Sequence, residues 1–352
     1  MVHKMGKKLL FFIPTLENGA GMERISTSLA NLLVEKGYIV RFVVLSRSIE
    51  SFFSMDERIS IVSLDGSDIQ HKRWEAAKKL RQCVKDFRAD YLINVDVSMI
   101  QVSLLAFPML SGCKMITWEQ FSIESNRSFL KKVQRLMAVV TSQMIVLTET
   151  DKNSYPKFLR KRIKVIPNFS SLNKKGEVSL LNNKTAIAVG RLSYEKGFDL
   201  LIEAWRKVNK DWQLRIIGKG DSRYLKKQIA TFGLSDVVSL IPPTTDISKE
   251  YLNASLFILP SRFESFGLAM IEAMSFGLPV VAFNCPNGPK EIVRTGKNGV
   301  LVKNGNTEEL AKAINGMFNN QILNSYGKTA REDFVKKWTE DSVLEKWEMV
   351  FK

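Results

Sequence analysis

Four charged side chains stand in settings that could do chemistry: Arg191, Lys196, Glu264 and Glu272. The two cations lie five residues apart in Gly190-Arg191-Leu192-Ser193-Tyr194-Glu195-Lys196-Gly197. Arginine presents a planar fork and lysine a mobile point charge, a pair suited to a diphosphate, and the glycines let a backbone approach a ligand. The same residues would also serve as ordinary charges on a surface turn. Glu264 stands in Pro260-Ser261-Arg262-Phe263-Glu264-Ser265-Phe266-Gly267-Leu268, where Gly267 and Leu268 would present amide groups at a helix N-terminus. Glu272 follows within Leu268-Ala269-Met270-Ile271-Glu272-Ala273-Met274. A carboxylate beside phosphates is sensible only if it accepts hydrogen bonds from hydroxyls, which sugars and riboses offer. Otherwise Glu264 is a favourable charge for the helix N-terminus and Glu272 an exposed helical residue. The apolar neighbours of Glu272 argue instead for a partly buried carboxylate with a specific partner.

Such loops must be held by a scaffold, and short apolar runs alternate with helical patterns along the whole chain. That rhythm predicts an α/β fold with parallel strands, in which ligands bind beyond the carboxyl ends of the strands. In the first half the spacing predicts strands at Leu9–Pro14, Ile39–Leu45, Tyr91–Val95, Met115–Trp118 and Met144–Leu147. A glycine-bearing turn, Gly19-Ala20-Gly21, leads into a helix over Glu23–Lys36 that stops at Gly37. Composition shifts to Asn, Ser, Lys and Gly over Asn168–Lys184, the expected linker. A second series predicts strands at Thr185–Val189, Gln213–Ile217, Val237–Ile241, Leu256–Leu259 and Val280–Ala282, with helices at Phe198–Val208, Tyr224–Phe232 and Leu268–Phe276. The expected organisation is two doubly wound, Rossmann-like domains, residues 1–168 and 169–337. A terminal helix over about 338–352, bearing Trp338, Trp347 and Phe351, is expected to return to the first domain.

Composition narrows the chemistry. Of 352 residues 45% are hydrophobic and 25% charged, a globular balance sufficient for two cores. Cys83, Cys113 and Cys285 lie far apart, against a disulfide framework or zinc site and in favour of a reducing compartment. Only His3 and His71 could support histidine chemistry, and neither adjoins a carboxylate cluster. The start, with Lys4, Lys7 and Lys8 before Leu9-Leu10-Phe11-Phe12-Ile13, is too short in its apolar run for a signal peptide. No apolar stretch approaches the ~20 residues that span a bilayer. A cytoplasmic protein is expected, peripheral on the inner face of the membrane.

The formal net charge is +16, and residues 1–170 hold 26 basic against 16 acidic side chains. The excess falls on Lys72, Arg73, Lys78, Lys79, Arg81, Lys85 and Arg88, on Lys131, Lys132 and Arg135, and on Lys157, Arg160, Lys161, Arg162 and Lys164. Such patches attract anionic lipid, at about 1 kcal/mol per basic residue near the surface; the plainer reading is solvated helix faces. No nucleic-acid motif accompanies them, so no nucleic-acid partner is expected.

The segments Gly190 through Gly197 and Glu264-Ser265-Phe266-Gly267-Leu268-Ala269-Met270-Ile271-Glu272-Ala273 together resemble the donor-phosphate loop and E-x7-E motif of the family-four retaining glycosyltransferases. Gly218-Lys219-Gly220, Gly277-Leu278-Pro279-Val280-Val281 and Asn298-Gly299-Val300-Leu301-Val302 match in order and spacing, and Gly19-Ala20-Gly21-Met22-Glu23-Arg24 resembles the acceptor-side loop. The resemblance covers most of the chain. It implies the GT-B fold, two Rossmann-like domains facing a central cleft, with the acceptor on the first domain and the nucleotide sugar on the second. It implies that Arg191 and Lys196, with Gly190, grip the donor diphosphate, that Glu272 binds the ribose, and that Glu264 holds donor-sugar hydroxyls. The Phe266, Gly267 and Leu268 backbone would meet sugar or phosphate. It further implies retention by front-face attack, with the departing phosphate taking the acceptor proton. The donor would be a UDP-hexose and the acceptor a glycan or lipid-linked oligosaccharide in bacterial polysaccharide biosynthesis. No cofactor and no catalytic metal are expected, since no Asp-x-Asp motif is present.

Two departures matter. Where relatives carry a Glu-His pair, this chain reads Trp118-Glu119-Gln120-Phe121; Gln120 can position by hydrogen bonding but cannot exchange protons near neutral pH. The loop Pro242-Pro243-Thr244-Thr245-Asp246 lacks the glycine common beside the base. Cys285-Pro286-Asn287-Gly288-Pro289-Lys290-Glu291 resembles a surface-polysaccharide subgroup, as a donor cover or a proline-fixed turn. The alternatives are a GT-B nucleotide-sugar epimerase and a non-catalytic, membrane-associated subunit of a transferase complex.

Overall fold

A computed structural model describes residues 6–65, 69–106, 112–122, 128–244 and 246–352, excepting the side chains at 69–72 and 141. His3, Lys4 and Thr245, and the side chains of His71 and Lys72, lie outside the described residues. The chain forms two compact units, Met1–Pro167 with Val343–Lys352, and Asn168–Ser342.

The first unit is built on a seven-stranded sheet of β1 Lys8–Ile13, β2 Ile39–Val44, β3 Ser60–Ser63, β4 Tyr91–Val95, β5 Lys114–Trp118, β6 Gln143–Val146 and β7 Ile163–Val165. Their order is β3-β2-β1-β4-β5-β6-β7, all parallel. The central strands are nearly continuous apolar runs, Asn94 excepted, as strands of a parallel sheet covered on both faces are. The edge strands β3 and β7 have no counterpart in the sequence pattern: Ser-Ile-Val-Ser and Ile-Lys-Val are too short to show an apolar period.

The second unit holds six parallel strands, β8 Thr185–Val189, β9 Gln213–Ile217, β10 Val238–Ile241, β11 Leu256–Leu259, β12 Val280–Phe283 and β13 Gly299–Val302, in the order β10-β9-β8-β11-β12-β13. The order reverses between β8 and β11, which pair through Leu256 with Ala186 and Phe257 with Ile187. Ligands of doubly wound sheets bind at such a switch point, beyond the carboxyl ends of its two strands.

The expected linker is no loose tether. Ser179 is buried, its amide donating to the Phe276 carbonyl at 2.8 Å, and the Ser170 amide donates to the Trp338 carbonyl at 3.1 Å. Backbone hydrogen bonds, which composition does not reveal, bind this stretch to the second unit. Trp338 accordingly caps the helix Asn320–Lys337 in that unit rather than returning to the first. Trp347 and Phe351 do pack in the first unit: Trp347 meets Trp118 edge-on at 4.9 Å, and Phe351 lies 5.2 Å from Tyr91.

Candidate active site

Gly190 follows β8 with its amide on the Ile217 carbonyl, and the Leu192 amide donates to the Lys219 carbonyl at 2.8 Å. This loop lies backbone to backbone on Gly218, whose missing Cβ would sit 1.8 Å from the Gly190 carbonyl oxygen. A short 3-10 turn, Tyr194–Lys196, then closes on Gly197. Gly197 has a left-handed φ of 65°, and a Cβ there would sit 2.0 Å from the Pro260 carbonyl oxygen. The loop after β8 and the loop after β11 therefore touch through a position only glycine can fill.

Arg262 staples the same two loops. Its amide donates to the Glu195 carbonyl at 2.8 Å, its guanidinium grips Asp199 with two hydrogen bonds of 2.7 and 2.6 Å, and it covers the Tyr194 ring at 4.0 Å. Sequence alone gives this arginine no role, because its partners come from the other loop.

Held this way, Lys196 places its Nζ 2.6 Å from Glu264 Oε2. Both side chains are half-buried, and the lysine stem runs over Gly190, where a Cβ would touch it at 3.4 Å. Ser261 also reaches Glu264 Oε2, at 3.4 Å. Arg191 stands exposed on the same loop. The carboxyl of neighbouring Glu195 is held below its ordinary range by the Ser193 hydroxyl first, with the charges of Arg191 and Lys196 adding to it.

Phe266 is buried, and Gly267 takes a φ of 97° to start the helix Leu268–Ser275. On that helix Glu272 is 4% exposed, and the buried Tyr251 hydroxyl donates to its Oε2 at 3.1 Å. The partly buried carboxylate with a specific partner is thus the outcome, and Tyr251 the partner that sequence could not supply. Tyr251 comes from another helix, Ile247–Leu252, and stacks on Phe276 at 5.4 Å. Lys196 and Glu264 are brought into contact, then, while Arg191 and Glu272 flank them on the same loop and the following helix.

The loop after β12 completes this surface. Asn287 pairs with Glu264 in an isolated parallel bridge. The Cys285 thiol is buried and pushed up to about 12, by burial first and by the Glu264 carboxylate second, so it stays protonated. The Asn298 motif is structural: the Asn298 carboxamide donates to the Ile292 carbonyl and to Asp333, and a Cβ on Gly299 would meet the Val280 carbonyl at 2.1 Å. Among the described residues no group of three His, Cys, Asp or Glu side chains could hold a metal ion.

The acceptor-side candidates sit at the strand ends of the first unit. Gly19 is exposed against Phe52, whose ring a Cβ would meet at 2.8 Å, and Ala20 caps the helix Gly21–Glu35, in which Gly21 is also exposed. Near the ends of β1 and β2 lies a mainly apolar cavity of about 400 Å³, with Pro14, Leu45, Met99, Val102 and Gln134 in its wall. After β5, Gln120 is buried beside Glu119, which Arg135 pairs at 3.1 Å. After β4, Asp96 pairs Lys131 at 2.8 Å. The Glu119 carboxyl is pushed up to about 8 by burial and by the Asp96 charge, against the pull of Arg135 and Lys131. Lys131 and Arg135, counted from the sequence toward a basic surface, instead turn inward onto two acidic side chains buried at the strand ends.

Comparison with known proteins fits this geometry. The family described as glycosyl transferases group 1 matches residues 171–335. The chain is similar to an uncharacterized glycosyltransferase of Haemophilus influenzae, at 35% identity over 97% of this chain and 99% of the relative. It is also similar to the amylovoran biosynthesis glycosyltransferase AmsD of Erwinia amylovora, at 27% identity over 97% and 98% of the two chains. Among solved structures, Anabaena HepE in complex with UDP and glucose superposes with a TM-score of 0.81 over 98% of this chain and 99% of that one, at 18% identity. Two parallel-sheet, Rossmann-like units of this kind constitute the GT-B fold.

Proposed function

Because the chain belongs to the group 1 glycosyltransferases, we propose that it transfers a hexose, with retention, from a UDP-sugar to a glycan or lipid-linked oligosaccharide in bacterial polysaccharide biosynthesis. The observation that carries this reading is the Lys196–Glu264 contact beyond the carboxyl ends of β8 and β11. A cation for a leaving phosphate and an acceptor for sugar hydroxyls stand side by side there, as the two ends of a nucleotide sugar require. The UDP in the HepE complex and the amylovoran role of AmsD support donor and pathway class.

On this reading Arg191 and Lys196 bind the diphosphate, Glu264 the hexose hydroxyls and Glu272 the ribose. The bond from the anomeric carbon to the phosphate oxygen breaks while the acceptor oxygen bonds to the same face. The acceptor proton passes to the departing phosphate, whose charge the two cations neutralise. The reading includes no catalytic metal and no cofactor, and it assigns the acceptor to the first unit, about Gly19, Ala20, Gly21, Glu119 and Gln120.

The first unit also suits an anionic membrane surface. On the helix Phe129–Thr141 the exposed positions Phe129, Leu136 and Val140 are apolar and Lys132 lies among them. The adjoining segment Lys157–Arg162 exposes Phe158, Lys157, Lys161 and Arg162. Apolar side chains ringed by lysine and arginine fit a negatively charged lipid headgroup layer. Among the described residues no helix is long and apolar enough to cross a membrane.

A donor screen tests the reading. Purified protein is incubated with each common nucleotide sugar and a membrane extract, and nucleotide release and product anomer are followed. Acceptor-dependent release from a UDP-hexose with retained configuration is expected. Inversion, or release with sugar isomerisation and no acceptor, would overturn it.

A further inference from the structure

We propose that Asn287 selects the transferred sugar, its carboxamide hydrogen-bonding hexose hydroxyls beside Glu264. This rests on the reading above, in which the Glu264 neighbourhood holds the hexose of the donor.

Three observations meet at this residue. Asn287 has φ 76° and ψ −110°, one of five described non-glycine positions with positive φ. Glycine would take that conformation without strain, so the asparagine points to a use for its side chain. It is also 1% exposed, and among the described residues neither Oδ1 nor Nδ2 has a hydrogen-bond partner. A carboxamide offers two donor hydrogens and a two-lone-pair acceptor, and burying all of them unpaired is destabilising unless something absent from the free protein pairs them.

Its placement says what that is. The parallel bridge sets Asn287 beside Glu264, with the Gly288 amide 3.4 Å from the Glu264 carbonyl oxygen. A Cβ on Gly288 would lie 2.0 Å from the Phe266 carbonyl oxygen, so the turn is clamped against the Glu264–Phe266 segment. An ionised Glu264 can only accept hydrogen bonds. The carboxamide adds both a donor and an acceptor, and the pair can read the direction of neighbouring hydroxyls on a pyranose ring. Epimers that differ at one hydroxyl present a different donor–acceptor order to it, which is how a polar site discriminates strongly.

The test compares the full-length wild type with N287G, which relieves the strain, and N287D, which keeps the shape but loses the donor. Steady-state kinetics with the preferred UDP-hexose and its epimers, calorimetric titration with UDP, and thermal melting are measured on each. Both variants should lose roughly 10- to 100-fold in kcat/KM for the preferred sugar and discriminate less between epimers, while UDP affinity stays within about twofold and N287G melts no lower than wild type. Unchanged kcat/KM and discrimination in a folded N287G or N287D would overturn the inference while leaving the proposed function intact. A wild type that binds no UDP and turns over no nucleotide sugar would overturn both.

Discussion

Lys196 Nζ lies 2.6 Å from Glu264 Oε2, although 68 positions separate the two residues. The contact joins the loops that leave β8 and β11, the neighbouring strands at which the sheet order reverses. On the proposed reading the donor meets both side chains, its diphosphate at Lys196 and its hexose at Glu264.

Lys196→Ala should lower turnover by about 10² or more, the loss typical of one preorganised charge-stabilising group. The side chain is partly exposed, so the melting temperature should hardly move. Steady-state kinetics and thermal melting on the same preparation check both halves; near-normal turnover in the folded variant would refute the role.

Tyr251→Phe removes the buried hydroxyl that donates to Glu272. Losing this buried hydrogen bond should lower stability by about 1–3 kcal/mol and weaken nucleotide binding roughly fivefold or more. Calorimetric titration with UDP, alongside denaturant unfolding, would show this; unaltered affinity would free Glu272 from its assigned ribose.

Gly197→Ala and Gly233→Ala separate strain from close approach. Both glycines have φ near 65°, but of the two Gly197 faces a carbonyl where the new Cβ would go, while Gly233 has nothing within 4 Å among the described residues. Gly233→Ala should cost about 1 kcal/mol, and Gly197→Ala about 2–4 kcal/mol, since two backbones must also part. Equal midpoints in urea would contradict the loop contact.

Binding to anionic vesicles should fall steeply between low and physiological salt and should weaken in a Phe129→Ser, Leu136→Ser double variant. Cosedimentation with phosphatidylglycerol vesicles measures it. Equal binding to neutral vesicles, or no binding, would count against membrane docking.

Glu119 gives a pH signature. Its carboxyl titrates near 4.5 when unfolded and is pushed up to about 8 when folded. Below the lower value both states are protonated. Between the two values only the unfolded state loses its proton, so folding stability should fall as pH rises across that window and level off above it. Glu119→Gln should abolish this component of the pH dependence, seen by urea unfolding at a series of pH values; an identical profile in the variant would contradict the shift.

Much of the fold is legible in the amino-acid sequence. Tyr91–Val95, Thr185–Val189, Gln213–Ile217 and Leu256–Leu259 are predicted to the residue because strands of a buried parallel sheet are mainly apolar runs between turn residues, even where Arg215 or Asn94 interrupts one. The edge strands β3 and β7 carry too few apolar residues to register. The candidate site is legible where its proposed residues share one loop, as Arg191 and Lys196 do. It is illegible where partners arrive from elsewhere: Tyr251 on Glu272, Asp199 on Arg262, Asp96 on Lys131 and Glu119 on Arg135. Charge counting puts Lys131 and Arg135 on the surface because it is blind to the acidic side chains they turn inward to meet. In the sequence Asn287 belongs to a loop readable as a donor cover or as a proline-fixed turn, and its strain and buried carboxamide exist only in three dimensions.

A structure solved with UDP bound is the decisive measurement. The diphosphate should lie within hydrogen-bond reach of Arg191 and Lys196, and the ribose hydroxyls on Glu272. A nucleotide seated away from these three side chains, with Lys196 still closed on Glu264 and touching no phosphate, would refute the assignment of this switch point as the donor site.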